Sequence, residues 1–320
     1  MNLKLKVVNI EQATPHVRVF SMENADGGSL PRFAAGAHVE FKLPVRPGRI
    51  EKRSYSIASD PADTDRYVFG VLRERDSTGG SAYMHEQVRE GQILEAVGPL
   101  NNFPLCDAAK KHLLIAGGIG ITPILSMARV LGASNAPYSM HYCARSAEEM
   151  AFKAEVEELC ADSALLYFDG GDPGRGLDVK GLLERFEPDR HVYVCGPRGL
   201  IEAVRSSCSA AGWSDDHVHY EFFGAAADTS AGEALEVVLV ESDIVLKVQP
   251  GQSILDAILD AGVEVDYDCK RGECGMCVTR VLEGHPVHRD VYLSARERAA
   301  GDSMCTCVSW AEHGRLVLDI

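Results

Sequence analysis

The sequence predicts a multidomain chain of three parts in order: an antiparallel β-barrel, an open parallel α/β sheet, and a small α+β module around a cysteine cluster. Three observations predict it. Residues 1–106 alternate apolar and polar side chains in short runs, with Gly and Pro between them. Residues 107–225 alternate strand-like with helix-like segments. Residues 269–277 hold three cysteines in nine positions. At 320 residues the chain exceeds one ordinary core, and 46% hydrophobic with 25% charged residues is the composition of a soluble globular protein.

In the first part LKLKVVNI, VRVFSM, HVEFKL, RYVFGVL and QILEAV read as antiparallel strands. RSYSIAS, residues 53–59, is the polar exception. Arg53 offers a guanidinium fork for a phosphate, Tyr55 a ring able to stack on a flat cofactor, and Ser54 and Ser56 hydroxyls. STGGSAYM, residues 77–84, adds a glycine turn with a serine. By itself RSYS fits an ordinary strand with alternating polar residues equally well.

In the second part HLLIAGG, YSMHYCA, ALLYFDG and HVYVCGP read as strands. PILSMARVLG, EEMAFKAEVEELC and RGLIEAVRSSCSAAG read as helices. Strand–helix alternation implies a parallel sheet. LLIAGGIGITP, residues 113–123, runs from strand through Gly117, Gly118 and Gly120 into a helix, a turn that lets a phosphate approach backbone amides. Pro123 stands where the dinucleotide fingerprint has its third glycine, so this is not that fingerprint. A plain strand–helix corner would look the same. Cys195-Gly196-Pro197 makes a second strand–turn–helix, and two such turns at strand ends favour a dinucleotide crevice.

AAADTSAGEA lacks large apolar groups and marks a linker over 226–234. Beyond it, in 235–320, LEVVLVESDIVLKVQP reads as a hairpin. SILDAILDAGV reads as a helix capped by Ser253 with Asp256 at its third position, and RLVLDI as a closing strand. Cys269, Cys274 and Cys277 follow C-x4-C-x2-C, and Cys307 comes 29 residues later. That is the plant-type [2Fe–2S] spacing; zinc sites more often show two C-x2-C pairs. Gly272 and Gly275 allow the tight turns such a loop needs. Cys305, two residues before Cys307, would share its face on a strand and is given no role.

The formal net charge of −15 disfavours nucleic acid and anionic membranes as partners. The acidity serves solubility or a protein partner with a basic docking face. MNLKLKVVNIEQATP has no apolar signal core. HLLIAGGIGITPILSMARVL is broken by glycines, Pro123 and Arg129, so no membrane span is expected. The expected compartment is the cytoplasm, where ten cysteines do not imply disulfides. Most of Cys106, Cys143, Cys160, Cys195 and Cys208 are expected to be buried small hydrophobes.

Together these motifs resemble the ferredoxin–NADP reductase superfamily. Their order resembles the phthalate dioxygenase reductase family, which includes reductases of vanillate O-demethylase and related Rieske oxygenases. YEFFGA (220–225) and HRDVYLS (288–294) match family stretches as well. The resemblance covers essentially the whole chain and implies a C-terminal β-grasp ferredoxin domain. It implies FMN held by Arg53, Ser54, Tyr55, Ser56, Val71 and Leu72, with Gly80 and Ser81 at its phosphate and Phe223 covering the ring. Leu72 stands where a lysine is common, with Arg73 as a possible substitute.

The resemblance further implies that Gly117, Gly118, Gly120, Thr122, Pro123, Arg145, Cys195, Gly196 and Pro197 place NADH, with Thr122, Cys195 and Phe223 positioning the transfer. Glu148 and Glu149 would repel a 2′-phosphate and so favour NADH. Electrons would enter in pairs from NADH and leave singly through the cluster held by Cys269, Cys274, Cys277 and Cys307 to a Rieske-type oxygenase. The expected protein is monomeric and docks transiently. A soluble ferredoxin, cytochrome or hydroxylase is the alternative acceptor, and a redox sensor the remote one. The organic substrate belongs to the oxygenase and is not written in this chain.

Overall fold

The computed structural model describes residues 1–46, 48–74, 79–160, 163–223, 234–267, 270, 272, 275–290 and 292–320. The chain divides into two compact units, Met1–Phe223 and Gly224–Ile320.

The first unit opens with β1 (Asn2–Thr14), β2 (Val17–Asn24), β3 (His38–Arg46), β4 (Arg49–Ser56), β5 (Tyr67–Leu72), α1 (Gly80–Glu86) and β6 (Ile93–Leu100). The sheet runs β4-β3-β6-β1-β2-β5, all antiparallel. A bridge from Ile57, just past β4, to Phe69 of β5 joins its two ends, so the sheet curls toward closure as a barrel. Alternation supplies the core: Leu5, Val7, Phe20, Met22, Val39, Phe41, Leu43 and Phe69 are wholly buried. The Phe41 and Phe69 rings meet edge to face at 5.1 Å.

The same unit continues with β7 (Lys111–Gly117), α2 (Ile121–Ala133), β8 (Tyr138–Ala144), α3 (Lys153–Cys160), β9 (Ala164–Phe168), α4 (Val179–Leu183), β10 (Arg190–Gly196), α5 (Arg198–Ala210) and β11 (Val218–Phe222). The strands pair in parallel in the order β11-β10-β7-β8-β9. Strand order reverses between β7 and β10, and a crevice for a ligand opens at the carboxyl ends of such a pair. Of the five scattered cysteines, Cys160, Cys195 and Cys208 are buried, whereas Cys106 and Cys143 are partly exposed.

Two expected elements differ. STGGSAYM is not only a turn, since α1 begins at Gly80. EEMAFKAEVEELC is helical only from Lys153, because Phe152 takes a left-handed backbone (φ 58°) and the turn before it buries Met150, Ala151 and Phe152 in the core.

The second unit comprises β12 (Leu235–Leu239), β13 (Ile244–Val248), α6 (Ile254–Asp260), β14 (Val278–Glu283), β15 (Pro286–Val287), α7 (Ala295–Ala300), β16 (Ser303–Cys305), β17 (Trp310–Ala311) and β18 (Arg315–Leu318). A mixed sheet ordered β13-β12-β18-β14-β16 carries α6 against it, and β15 pairs with β17. The hairpin β12–β13 and the closing strand β18 stand where the sequence puts them, with β12 and β18 parallel. Ser253 caps α6, its Oγ accepting from the Asp256 amide at 2.9 Å. Among the described residues no helix is long and apolar enough to cross a membrane.

Candidate functional site

Strand β4 presents RSYS. Arg53 pairs with Glu51 at 2.6 Å and donates to the Lys52 carbonyl. Gly79 and Gly80 lie directly over these side chains. A Cβ on Gly80 would stand 2.3 Å from Arg53 Cγ, and one on Gly79 2.3 Å from Glu51 Oε2. The glycines therefore admit the Arg53–Glu51 pair beneath the start of α1.

Two polar atoms here are buried with no hydrogen-bond partner among the described residues, the Tyr55 hydroxyl and Ser81 Oγ. Burial raises the Tyr55 pKa, the largest of its causes, so the phenol stays protonated and able to donate. Buried hydroxyls left unmatched are costly, and a polar ligand is the ordinary remedy. Val71 is buried in β5 with its carbonyl 2.8 Å from His85 Nε2, and Leu72 is exposed. Arg73, the possible stand-in for lysine, is engaged with Glu86 at 2.7 Å and with the Glu74 carbonyl.

The two glycine turns of the parallel sheet are pressed together at the switch point. A Cβ on Gly120 would lie 2.2 Å from the Cys195 carbonyl oxygen. One on Gly117 would lie 2.7 Å from Pro197 Cδ, and one on Gly196 2.9 Å from Gly117 Cα. Gly118 has φ 53°, and space is open around it. Thr122 is buried and its Oγ1 donates to the Ile119 carbonyl at 3.1 Å; Pro123 follows inside the first turn of α2. Arg145 is exposed just past β8, its carbonyl accepting from the Gly170 amide. Glu148, three residues after Arg145 in the sequence, is held ionised mainly by its hydrogen bond with Ser146.

Two residues not singled out from the sequence join these pieces. Gly70 of β5 faces the first glycine turn. A Cβ there would come within 2.8 Å of Phe152 Cε2 and 2.9 Å of Thr122 Cγ2. A glycine inside RYVFGVL was the available sign of such an approach. Glu221 of β11 lies opposite Cys195 in register and reaches Ser56 Oγ at 3.4 Å. RSYS and the glycine turns of the parallel sheet thus converge. Phe223, just past β11, is half-buried and packs on the core of the parallel sheet.

In the second unit Cys277 and Cys307 are buried with their sulfurs 3.2 Å apart. Cys277 is drawn down to about 3, first by its hydrogen bond with the Cys305 thiol and then by that with Cys307, which favours the thiolate a metal requires. Cys305 ends β16 opposite Val278, and Cys307 follows in a turn rather than on the same strand. Gly272 and Gly275 have φ 76° and 75°. A Cβ on Gly275 would meet the Tyr292 ring at 2.2 Å. Cys269 and Cys274 lie outside the described residues.

These features match known proteins. The model for the 2Fe-2S iron-sulfur cluster binding domain matches residues 238–312, and that for the oxidoreductase NAD-binding domain residues 114–206. The chain is 38% identical over 321 residues to vanillate O-demethylase oxidoreductase of Acinetobacter baylyi, across 100% of this chain and 99% of the relative. It is 38% identical over 314 residues to the carnitine monooxygenase reductase subunit of Acinetobacter baumannii, across 98% and 96%. The solved structure of phthalate dioxygenase reductase, described as modular for electron transfer from pyridine nucleotides to [2Fe–2S], superposes with TM-score 0.79 and 35% identity over 100% of this chain and 98% of that one.

The chain belongs to the phthalate dioxygenase reductase family. As a member of this family it is an NADH-dependent oxidoreductase, the reductase component of an oxygenase or demethylase system. Its cofactors are FMN and a [2Fe–2S] cluster. The residues present fit both groups. The orphaned Tyr55 and Ser81 hydroxyls are donors a flavin can use, and the adjoining, buried Cys277 and Cys307 sulfurs are the donor type an iron–sulfur cluster takes.

Proposed function

We propose that this reductase binds FMN against the barrel through Arg53, Ser54, Tyr55, Ser56, Val71, Leu72, Gly80 and Ser81. NADH would lie over the turns at Gly117–Pro123 and Cys195–Pro197, and Cys269, Cys274, Cys277 and Cys307 would hold the cluster that supplies single-electron release to a Rieske-type oxygenase. The observation that carries the reading is the meeting of the two halves of the first unit: Ser56 reaches Glu221 at 3.4 Å, and Gly70 lies against Thr122. Bound flavin supplies the conversion of a two-electron delivery into single-electron release.

The chain's part is positional. Tyr55 and the serines orient the ring system and its tail, and Arg53 neutralises the phosphate once it exchanges Glu51 for that anion. The glycine turns bring backbone close to the nucleotide. Thr122, Cys195 and Phe223 fix where the nicotinamide stacks and exclude water there. No side-chain acid or base is required. Glu148 opposes a 2′-phosphate and favours NADH. The domains are the barrel 1–106, the nucleotide domain 107–225, the linker 226–234 and the ferredoxin domain 235–320. The reductase works as a cytoplasmic monomer that docks transiently.

The test is anaerobic single turnover. NADH should bleach the flavin, then the cluster, and an added Rieske oxygenase should reoxidise both. Heat-released flavin should chromatograph as FMN. Stoichiometric FAD, or a cluster that stays oxidised while the flavin is reduced, would overturn the reading.

A further inference from the structure

The buried carboxylate of Asp290 has no part in the reading above. Its side chain is fully buried. Oδ2 accepts from the Leu293 amide at 2.9 Å, and Oδ1 accepts from Ser309 Oγ at 3.2 Å. Ser309 Oγ in turn accepts from the Arg289 amide, so its one proton is directed at Asp290. Both carboxylate oxygens therefore serve as acceptors, the role of an ionised group. The nearest imidazole nitrogen, His288 Nδ1, is 3.5 Å away, and neither His288 ring nitrogen has a hydrogen-bond partner among the described residues.

The position of this charge is specific. Gly272 lies between Cys269 and Cys274 in the sequence, and a Cβ on it would stand 2.9 Å from Asp290 Cα and 3.0 Å from Asp290 Cβ. The same Cβ would touch Val308, the neighbour of Cys307, at 2.6 Å. The Tyr292 amide donates to the Gly272 carbonyl, fastening the Asp290 segment to the cysteine loop. Asp290 is thus wedged between the two stretches of chain that carry the cluster cysteines.

We propose that Asp290 is a potential-setting residue: its fixed negative charge, buried behind Gly272 and Ser309, lowers the reduction potential of the [2Fe–2S] cluster. An electron added to the cluster raises the negative charge there, and a buried anion packed against the cysteine-bearing segments opposes it with little screening by water. Net charge and surrounding dipoles are among the factors that set cluster potentials. The proposal rests on the cluster assignment above and extends it to a residue outside the cysteines.

The test is an EPR-monitored redox titration of the full-length protein loaded with FMN and cluster. Asp290→Asn should keep the cluster spectrum and move the midpoint upward, while Asp290→Glu should stay near the wild-type value. Ser309→Ala removes a donor that offsets the charge and should move the midpoint downward. An unshifted Asp290→Asn with an intact cluster, or an Asp290→Glu shifted equally far, would overturn the proposal. Should Asp290→Asn fail to load, Ser309→Ala decides: a downward shift supports the proposal, and no shift or an upward one overturns it. A wild-type protein that never acquires a [2Fe–2S] spectrum would instead refute the cluster assignment, and this proposal with it.

Discussion

Ser56 and Glu221, 165 residues apart in sequence, meet at 3.4 Å where the end of β4 faces β11. The contact ties the RSYS stretch of β4 to the strand that runs beside Cys195. Glu221→Gln keeps the size and loses the charge. It should slow flavin reduction by NADH about tenfold, corresponding to roughly 1.4 kcal/mol of barrier, and leave the cluster spectrum unchanged. Stopped-flow absorbance in the absence of oxygen is the check; an unaltered rate would show the contact to be only a packing one.

Gly70 should tolerate no β-branched side chain. A Cβ would crowd Phe152, Thr122 and Ile119 at once. Gly70→Val is expected to cost about 1–3 kcal/mol of stability through overpacking and to depress flavin reduction as well. Chemical denaturation followed by flavin fluorescence measures the first effect, and single-turnover kinetics the second.

Serine replacement of Cys269, Cys274, Cys277 or Cys307 should abolish or badly weaken the reduced-state EPR signal. Cys305→Ser should retain it. Cys305 lies beside Cys277 and could trade places with Cys307, so the decisive comparison is between those two variants.

A chain ending at Ala231 should keep the whole first unit, bind FMN and reduce ferricyanide with NADH, because that unit has its own cores. It should lose reduction of cytochrome c. Full-length rates with cytochrome c would place the cluster off the electron path.

The amino end of the parallel sheet should make the first unit acid-sensitive. His191 Nδ1 and His219 Nε2 are 2.9 Å apart, His217 packs on His191, and His219 stacks on Tyr193. Burial, then neighbouring imidazoles, pushes His219 down from 6.5 to about 4; His191 is lowered by burial and then by His217. The folded pKa lies below the unfolded one, so the stabilisation is complete above pH 6.5 and is lost as pH falls from there toward 4. The thermal midpoint of the 1–231 fragment should fall over that window, and His219→Gln should flatten the fall relative to wild type.

The chemistry-bearing motifs were legible because they are local. Cysteine spacing, the two glycine turns, the Ser253 cap and the barrel alternation are each written within a dozen or so residues. What stayed hidden depends on distant parts of the chain. The helical pattern of EEMAFKAEVEELC was overridden because burying Met150 and Phe152 requires a left-handed turn at Phe152. Gly80 looked like a turn residue, and only the Arg53 side chain beneath it explains why glycine starts α1. Glu221 lies within YEFFGA, yet nothing nearby in sequence points to Ser56.

The interlocked turns at Gly117, Gly120 and Gly196 also bear on how coenzyme preference can change. A Cβ on Gly120 would strike the Cys195 backbone, one on Gly196 the Gly117 backbone, and one on Gly117 the Pro197 and Leu200 side chains, so the floor of the crevice between β7 and β10 is closed to tuning. The segment just past β8, where Arg145 and Glu148 are exposed, carries no such constraint. Variation in coenzyme choice among descendants of this scaffold, natural or laboratory-selected, should therefore accumulate at that rim and spare the floor.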